Sequence, residues 1–131
     1  MSVLQMLHKT VQFHPERTAT VWHDRRRTWA EVGDRVGRAA TGLRSLGVED
    51  GDRVAILAMN SDAYLELFFS TAWAGAVSVP LNTRWSAKEL AAALSDCTPS
   101  VLLVDETFMP MLGEILEATE HRPVLVFLGT G

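Results

Sequence analysis

The chain has 131 residues, 47% hydrophobic and 21% charged, with a formal net charge of −4. That is one domain's worth of chain with enough apolar material for a core, and its acidic balance excludes the concentrated basic face that a nucleic-acid partner requires. A single cysteine, Cys97, excludes an intrachain disulfide framework and fits a reducing, cytoplasmic setting. No run of about 18 apolar residues is present to form a transmembrane segment, and the first residues lack the basic-then-apolar order of a secretory signal.

Residues 3–13 read as a short helix with Leu4, Leu7 and Val11 on one side, which Pro15 prevents from continuing. Thr18 to His23 is rich in strand formers, and a second extended piece from Arg26 to Thr28 completes a small hairpin. The run Arg25-Arg26-Arg27 reads as a solvated turn, because short charge runs ordinarily face water. Thr28-Trp29-Ala30-Glu31 is a capping box: the threonine hydroxyl satisfies one orphan amide and the glutamate reaches back to another. Behind it Trp29, Val32, Val36, Ala39, Ala40, Leu43 and Leu46 recur at helical spacing, and Gly47 stands where a left-handed C-cap belongs. Gly33, Gly37 and Gly42 each weaken this helix by about 1 kcal/mol relative to alanine. Close packing against another element is the expected reason for them.

Arg53 to Ala58 is continuously apolar after its arginine, the pattern of a strand covered on both faces. Asn60-Ser61-Asp62 caps a helix whose Tyr64, Leu65, Leu67, Phe68, Phe69, Ala72 and Trp73 wrap more than one side, so it is expected to be largely buried. Gly75 ends that helix in a left-handed conformation, and Ala76 to Pro80 forms the next strand. Ser86-Ala87-Lys88-Glu89 is a second capping box, opening a helix to about Asp96. Val101 to Val104 is a third buried strand, Pro110 suits the first turn of a helix carrying Leu112, Ile115 and Leu116, and Val124 to Leu128 is a fourth strand. The alternation predicts an α/β fold, a mostly parallel β-sheet flanked by helices with a small N-terminal hairpin. The fourth strand reads as apolar on both faces, yet only Gly129, Thr130 and Gly131 follow it. Its surface is therefore expected to be covered by a partner, either the rest of its own polypeptide or a second copy.

A parallel α/β unit invites a nucleotide, but the phosphate-binding motifs are missing. After the first sheet strand stands Ala58-Met59-Asn60-Ser61-Asp62, with no G-x-G-x-x-G, and the only lysines, Lys9 and Lys88, belong to no G-x-x-x-x-G-K-[ST] loop. No G-x-S-x-G elbow is present. His8, His14, His23 and His121 are scattered, none in an H-E-x-x-H arrangement, and Cys97 has no cysteine neighbour, so no metal site is expected. Glu49, Asp50 and Asp52 flank Gly51 as ordinary turn residues. Residue chemistry alone describes an α/β domain without an active site.

Three stretches, in order, resemble the adenylate-forming (AMP-binding) acyl-CoA synthetases. Arg27-Thr28-Trp29-Ala30-Glu31-Val32 is similar to that family's L-T/S-Y-x-E-L motif, with Trp29 in the aromatic place. Gly47-Val48-Glu49-Asp50-Gly51-Asp52-Arg53-Val54-Ala55-Ile56 resembles its LGV-x-x-GDRVAI segment. Trp73-Ala74-Gly75-Ala76-Val77-Ser78-Val79-Pro80-Leu81-Asn82-Thr83-Arg84 resembles its GAV-x-VPLN-x-R motif. Ser86 to Leu90 and Ser95-Asp96-Cys97 are similar to the helix that follows. The likeness runs from about His14 to the end, and order and spacing carry it.

The resemblance implies that residues 1–131 are the N-terminal subdomain of an enzyme roughly four times as long, a fatty-acid–CoA ligase. Such enzymes join a fatty acid or other carboxylate to the α-phosphate of ATP and then pass the acyl group to coenzyme A. The resemblance places the phosphate loop, the adenine contacts, the magnesium carboxylate and the catalytic lysine beyond the matched motifs. No catalytic residue, cofactor or metal ligand is therefore carried over; ATP, Mg and coenzyme A are implied for the full-length enzyme, and this segment is expected to be inactive alone. Fatty-acyl-AMP ligases, aryl-CoA ligases and peptide-synthetase adenylation domains share these motifs, and a stand-alone non-catalytic interaction module is a reading from another class. Ligands of open parallel sheets sit beyond the carboxyl ends of the strands, which makes Asn82, Thr83, Arg84 and Trp85 the substrate-cleft candidates. Trp85 departs from the smaller or aliphatic residue of many relatives.

Overall fold

The computed structural model describes residues 2–128. They fall into two compact units: the chain up to Glu49 together with Asn60–Gly75, and Asp50–Met59 together with the chain from Ala76 onward.

The first unit contains α1 (Val3–Phe13), the antiparallel hairpin β1 (Thr18–Trp22) and β2 (Arg25–Thr28), α2 (Trp29–Ser45) and α3 (Asp62–Trp73). The capping box at α2 forms as the sequence predicts: the Glu31 amide donates to Thr28 Oγ1 at 3.2 Å, and the Thr28 amide donates to Glu31 Oε1 at 2.9 Å. Ser2 and Gln5 form a further box on α1, and Ser61 caps α3. Leu7, Val32 and Val36 make a small buried core, with Leu4, Val11, Ala19, Trp29 and Phe69 packed against it. Two of the three helix glycines have the expected cause. A Cβ on Gly33 would stand 3.0 Å from the Val11 side chain, and one on Gly37 would stand 3.3 Å from the Trp73 ring. Gly42 faces open space, and nothing in the structure explains it.

Helix α3 departs from expectation. Its buried residues are Asp62, Glu66, Ser70 and Thr71, whereas Leu65, Phe68 and Trp73 remain 37–40% exposed. Asp62, Glu66 and Ser70 stand four residues apart and so share one face. The apolar residues that suggested a largely buried helix occupy the remaining arc, and full burial went to the carboxylates because cations were there to meet them.

The second unit is a four-stranded parallel sheet in the order β4-β3-β5-β6, built from β3 (Arg53–Leu57), β4 (Val77–Pro80), β5 (Val101–Asp105) and β6 (Val124–Leu128). Its helices are α4 (Ala87–Cys97) and α5 (Leu112–Glu117), the latter preceded by a 3-10 turn over Met109–Met111 that contains Pro110. Ala55, Leu57, Leu102 and Val104 share a core with Leu90, Leu94 and Ile115 of the helices. Val54, Ile56, Val101 and Leu103, of the opposite parity, are buried as well. That is the double burial the uninterrupted apolar runs call for. Strand β6 lies at the sheet edge with Val124, Leu125 and Phe127 43–55% exposed.

Gly75 has φ +82°, so a β-branched residue there is strained. Urea midpoints should order four variants. Gly42→Ala is expected to exceed the parent by about 0.5–1 kcal/mol, through helix propensity with no clash. Thr28→Ala should lose about 1 kcal/mol with its cap, Gly37→Ala should fall below the parent despite its propensity, and Gly75→Val should lose more than Thr28→Ala. A Gly42→Ala variant less stable than the parent would contradict the open surroundings of that glycine.

Candidate functional site

The loop after β4 is fixed by its own backbone. The Leu81 amide donates to the Ile56 carbonyl of β3 at 2.9 Å, which holds the chain at the carboxyl end of the sheet. Asn82 then folds the loop. Its Oδ1 accepts from the Arg84 amide at 2.9 Å, and its carbonyl accepts from the Trp85 amide at 3.2 Å. This is an Asx turn, the local hydrogen bond that makes asparagine a turn residue. It delivers the chain to Ser86, whose hydroxyl and Glu89 form the second expected capping box. Asn82, Arg84 and Trp85 are exposed and Thr83 is half-buried. The four candidates are thus contiguous at a carboxyl strand end, with Asn82 serving the loop and Arg84 and Trp85 facing outward.

A second constellation, which the sequence reading did not single out, lies where the strand order reverses. Chain order runs from β3 outward to β4 and then back across to β5, so the switch point falls between β3 and β5. Asp105 closes it: its carboxylate accepts from the Met59 amide at 2.8 Å and from the Thr107 amide at 3.1 Å. An acidic residue closing an otherwise apolar strand was the available signal. Elsewhere in this unit an open groove of about 530 Å³ runs between the start of α4 and α5, lined by Ser86, Ala87, Lys88, Glu114, Glu117 and Ala118. None of residues 82–85 lines it. Among the described residues no group of three or more His, Cys, Asp or Glu side chains is arranged to hold a metal ion. Cys97 is half-buried, and burial pushes its thiol up, away from the reactive thiolate.

The densest charge cluster is in the first unit, and it corrects the reading of Arg25-Arg26-Arg27 as a solvated turn. Arg25 and Arg27, two apart on β2, point to the same side, and Arg26 between them is exposed. Arg25 meets Asp62 in a two-pronged pair at 2.6 and 2.8 Å. Arg27 Nη1 reaches Asp62 at 3.1 Å and Glu66 at 2.8 Å, and Arg35 of α2 donates to Glu66 at 2.7 Å. The Asp62 and Glu66 side chains are only 1% and 6% exposed. Burial by itself raises the Asp62 carboxyl; the Arg25 hydrogen bond and the Arg27 and Arg25 charges more than offset it and hold the group below its ordinary value. The cluster has the chemistry of a structural clamp, with every carboxylate committed to a guanidinium.

A family model described as "AMP-binding enzyme" matches residues 7–129, and the chain belongs to that family. It is 37% identical over 116 residues, 88% of this chain and 20% of the other protein, to the peroxisomal butyrate–CoA ligase AAE11 of Arabidopsis thaliana. A feruloyl-CoA synthase of Amycolatopsis sp. is 46% identical over 95 residues, 72% of this chain and 19% of that protein. The solved fatty acyl CoA synthetase of Mycobacterium tuberculosis superposes with a TM-score of 0.88 at 33% identity, covering 95% of this chain and 26% of that one. These relatives are CoA ligases, and the chain spans about a fifth of the length of the curated ones. The family and the α/β fold stand as the sequence motifs implied. Among the described residues no helix is long and apolar enough to cross a membrane.

Asp62 sets a pH dependence whose sign follows from its direction. Its folded-state affinity for a proton is depressed, so the stability it contributes is fully present above the unfolded value of about 3.8 and is lost as pH falls through the still lower folded value. Asp62→Asn should cost about 2 kcal/mol at pH 7, since the half-buried Arg25 loses its carboxylate and Arg27 keeps only Glu66. The gap between parent and variant in urea titrations should shrink only below about pH 3.8. A gap that closes between pH 7 and 5 would show that another group controls it.

Proposed function

We propose that the chain is the N-terminal part of an ATP-dependent fatty-acid–CoA ligase. A carboxylate oxygen attacks the α-phosphorus of ATP and pyrophosphate leaves; the coenzyme A thiol then attacks the acyl carbon and AMP leaves. The first step is leaving-group activation, since a mixed anhydride with AMP yields to a thiol that a bare carboxylate resists. The observation that carries the reading is the superposition of nearly the whole chain on the fatty acyl CoA synthetase of Mycobacterium tuberculosis, joined to its identity with a butyrate–CoA ligase. The likeness to a feruloyl-CoA synthase favours a second reading, an aryl carboxylate as substrate.

ATP, Mg and coenzyme A are assigned to the remaining four fifths of the full-length polypeptide, because residues 1–131 carry no glycine-rich phosphate loop. The same polypeptide is the proposed cover for β6, whose apolar side chains stand at an open edge. The lone cysteine suits a reducing compartment, the cytoplasm, although the butyrate–CoA ligase is named peroxisomal. Asn82, Thr83, Arg84 and Trp85 are proposed to border the acyl or pantetheine side of the cleft, with Trp85 as its apolar wall.

Pyrophosphate release from ATP by the full-length protein tests this against a panel of straight-chain and aryl acids. Laurate or shorter fatty acids are expected to drive turnover. Turnover with aryl acids alone would replace the substrate class, and silence with every acid would leave a non-catalytic module. Residues 1–131 alone are expected to release none; steady release by that segment would refute the assignment of the chemistry elsewhere. In the active protein Trp85→Ala should raise KM for the acid several-fold with kcat little changed, the signature of lost uniform binding.

A further inference from the structure

We propose that the β1–β2 hairpin is an ionic strap, fastened to α3 by paired charges and able to open while helices α1–α3 stay packed. The sequence sets up the fastening. Arg25 and Arg27 lie on one side of β2, and Asp62 and Glu66 lie one helical turn apart on α3, so two short periodicities bring four charges together. The hairpin has little else to hold it. Of its side chains Ala19 joins the Leu7–Val32–Val36 core, while Val21 and Trp22 are exposed. Thr20 Oγ1 is buried without a hydrogen-bond partner, a cost that a sealed hairpin bears for nothing.

The base of the strap is anchored separately. The Trp29 amide donates to the Arg17 carbonyl at 3.0 Å and the Ala30 amide to the Pro15 carbonyl at 2.9 Å, so the ends stay joined to the start of α2. The free end is the turn at His23, which holds a positive φ of 55° with its ring edge-on to Trp22. The core of the unit lies on α1 and α2. Opening the hairpin from its turn therefore breaks ion pairs and a two-strand ladder and spares Leu7, Val32 and Val36. Elements held by few apolar contacts populate the low-stability end of local opening.

Charge stoichiometry supplies the test. Three guanidinium groups serve two carboxylates, so removing Arg25 leaves Arg27 on Asp62, and removing Arg35 leaves Arg27 on Glu66. Either variant keeps a cation for each buried anion and is expected to fold. Of Arg25 and Arg35, only Arg25 is on the strap. Amide hydrogen exchange, read residue by residue, should show Arg25→Gln speeding exchange across Thr18–Thr28 by about tenfold or more, with Val32–Leu43 changed less than about threefold. Arg35→Gln should leave the hairpin amides at parental rates, and the exposed Arg26→Gln should do the same. Equal loss of protection in hairpin and α2 in the Arg25→Gln protein, or its failure to fold, would make the unit a single cooperative block and overturn the proposal. So would unchanged hairpin exchange, or an Arg26→Gln effect as large as that of Arg25→Gln.

Discussion

Strands β3 and β5 lie side by side with Val54, Ala55, Ile56 and Leu57 against Val101, Leu102, Leu103 and Val104, and none of the eight is more than 2% exposed. At about 1.5–3 kcal/mol for each large side chain withdrawn from water, this pair is the main apolar contribution of the second unit before chain entropy is set against it. The same burial dictates topology. A strand with no wet face cannot turn back beside itself through a tight hairpin and still be covered, so each connection travels through a helix and the neighbours run parallel. Polar work is then driven to the carboxyl ends, where Asp105 and Asn82 satisfy the backbone amides that the ladder no longer reaches.

The first unit solves its packing problem with charge. Its apolar core is small, and the helix that could have enlarged it turns Asp62 and Glu66 inward instead. Buried ion pairs of this kind add little net stability over apolar packing, since desolvation offsets attraction. They do fix position, because a guanidinium fork donates to a carboxylate in few geometries. The choice leaves Leu65 and Phe68 partly exposed on the same helix.

How far the sequence could be read depended on whether a signal was local. The capping boxes at Thr28 and Ser86, the glycine stop at Gly75 and the apolar runs of β3 and β5 each depend on residues within a few positions, and all formed as read. The arginine run failed because its partners are 35 to 39 residues away, beyond the reach of any periodicity. In helix α3 the fully buried face was missed for the same reason: a count of apolar residues cannot show that cations wait for its two carboxylates. At the candidate site the strand end was read, whereas the Asn82 turn that folds the loop was not, although its hydrogen bond is local. Asp105 was not singled out, because its role depends on β3 and β5 being neighbours across the switch point.

The two edges of the sheet differ in a way that bears on function. Strand β4 ends in Pro80, and proline is confined to edge strands because it cannot donate to a ladder on its outer side. Strand β6 carries no charge and no proline between Val124 and Leu128, so its outer edge offers both backbone groups and apolar side chains. Natural edges that stay exposed are usually guarded by charge, proline or a bulge. Pro80 removes one backbone donor from β4, and β6 keeps all of its donors. Of the two edges β6 is the one without proline, which supports the proposal that further polypeptide covers the sheet on the β6 side.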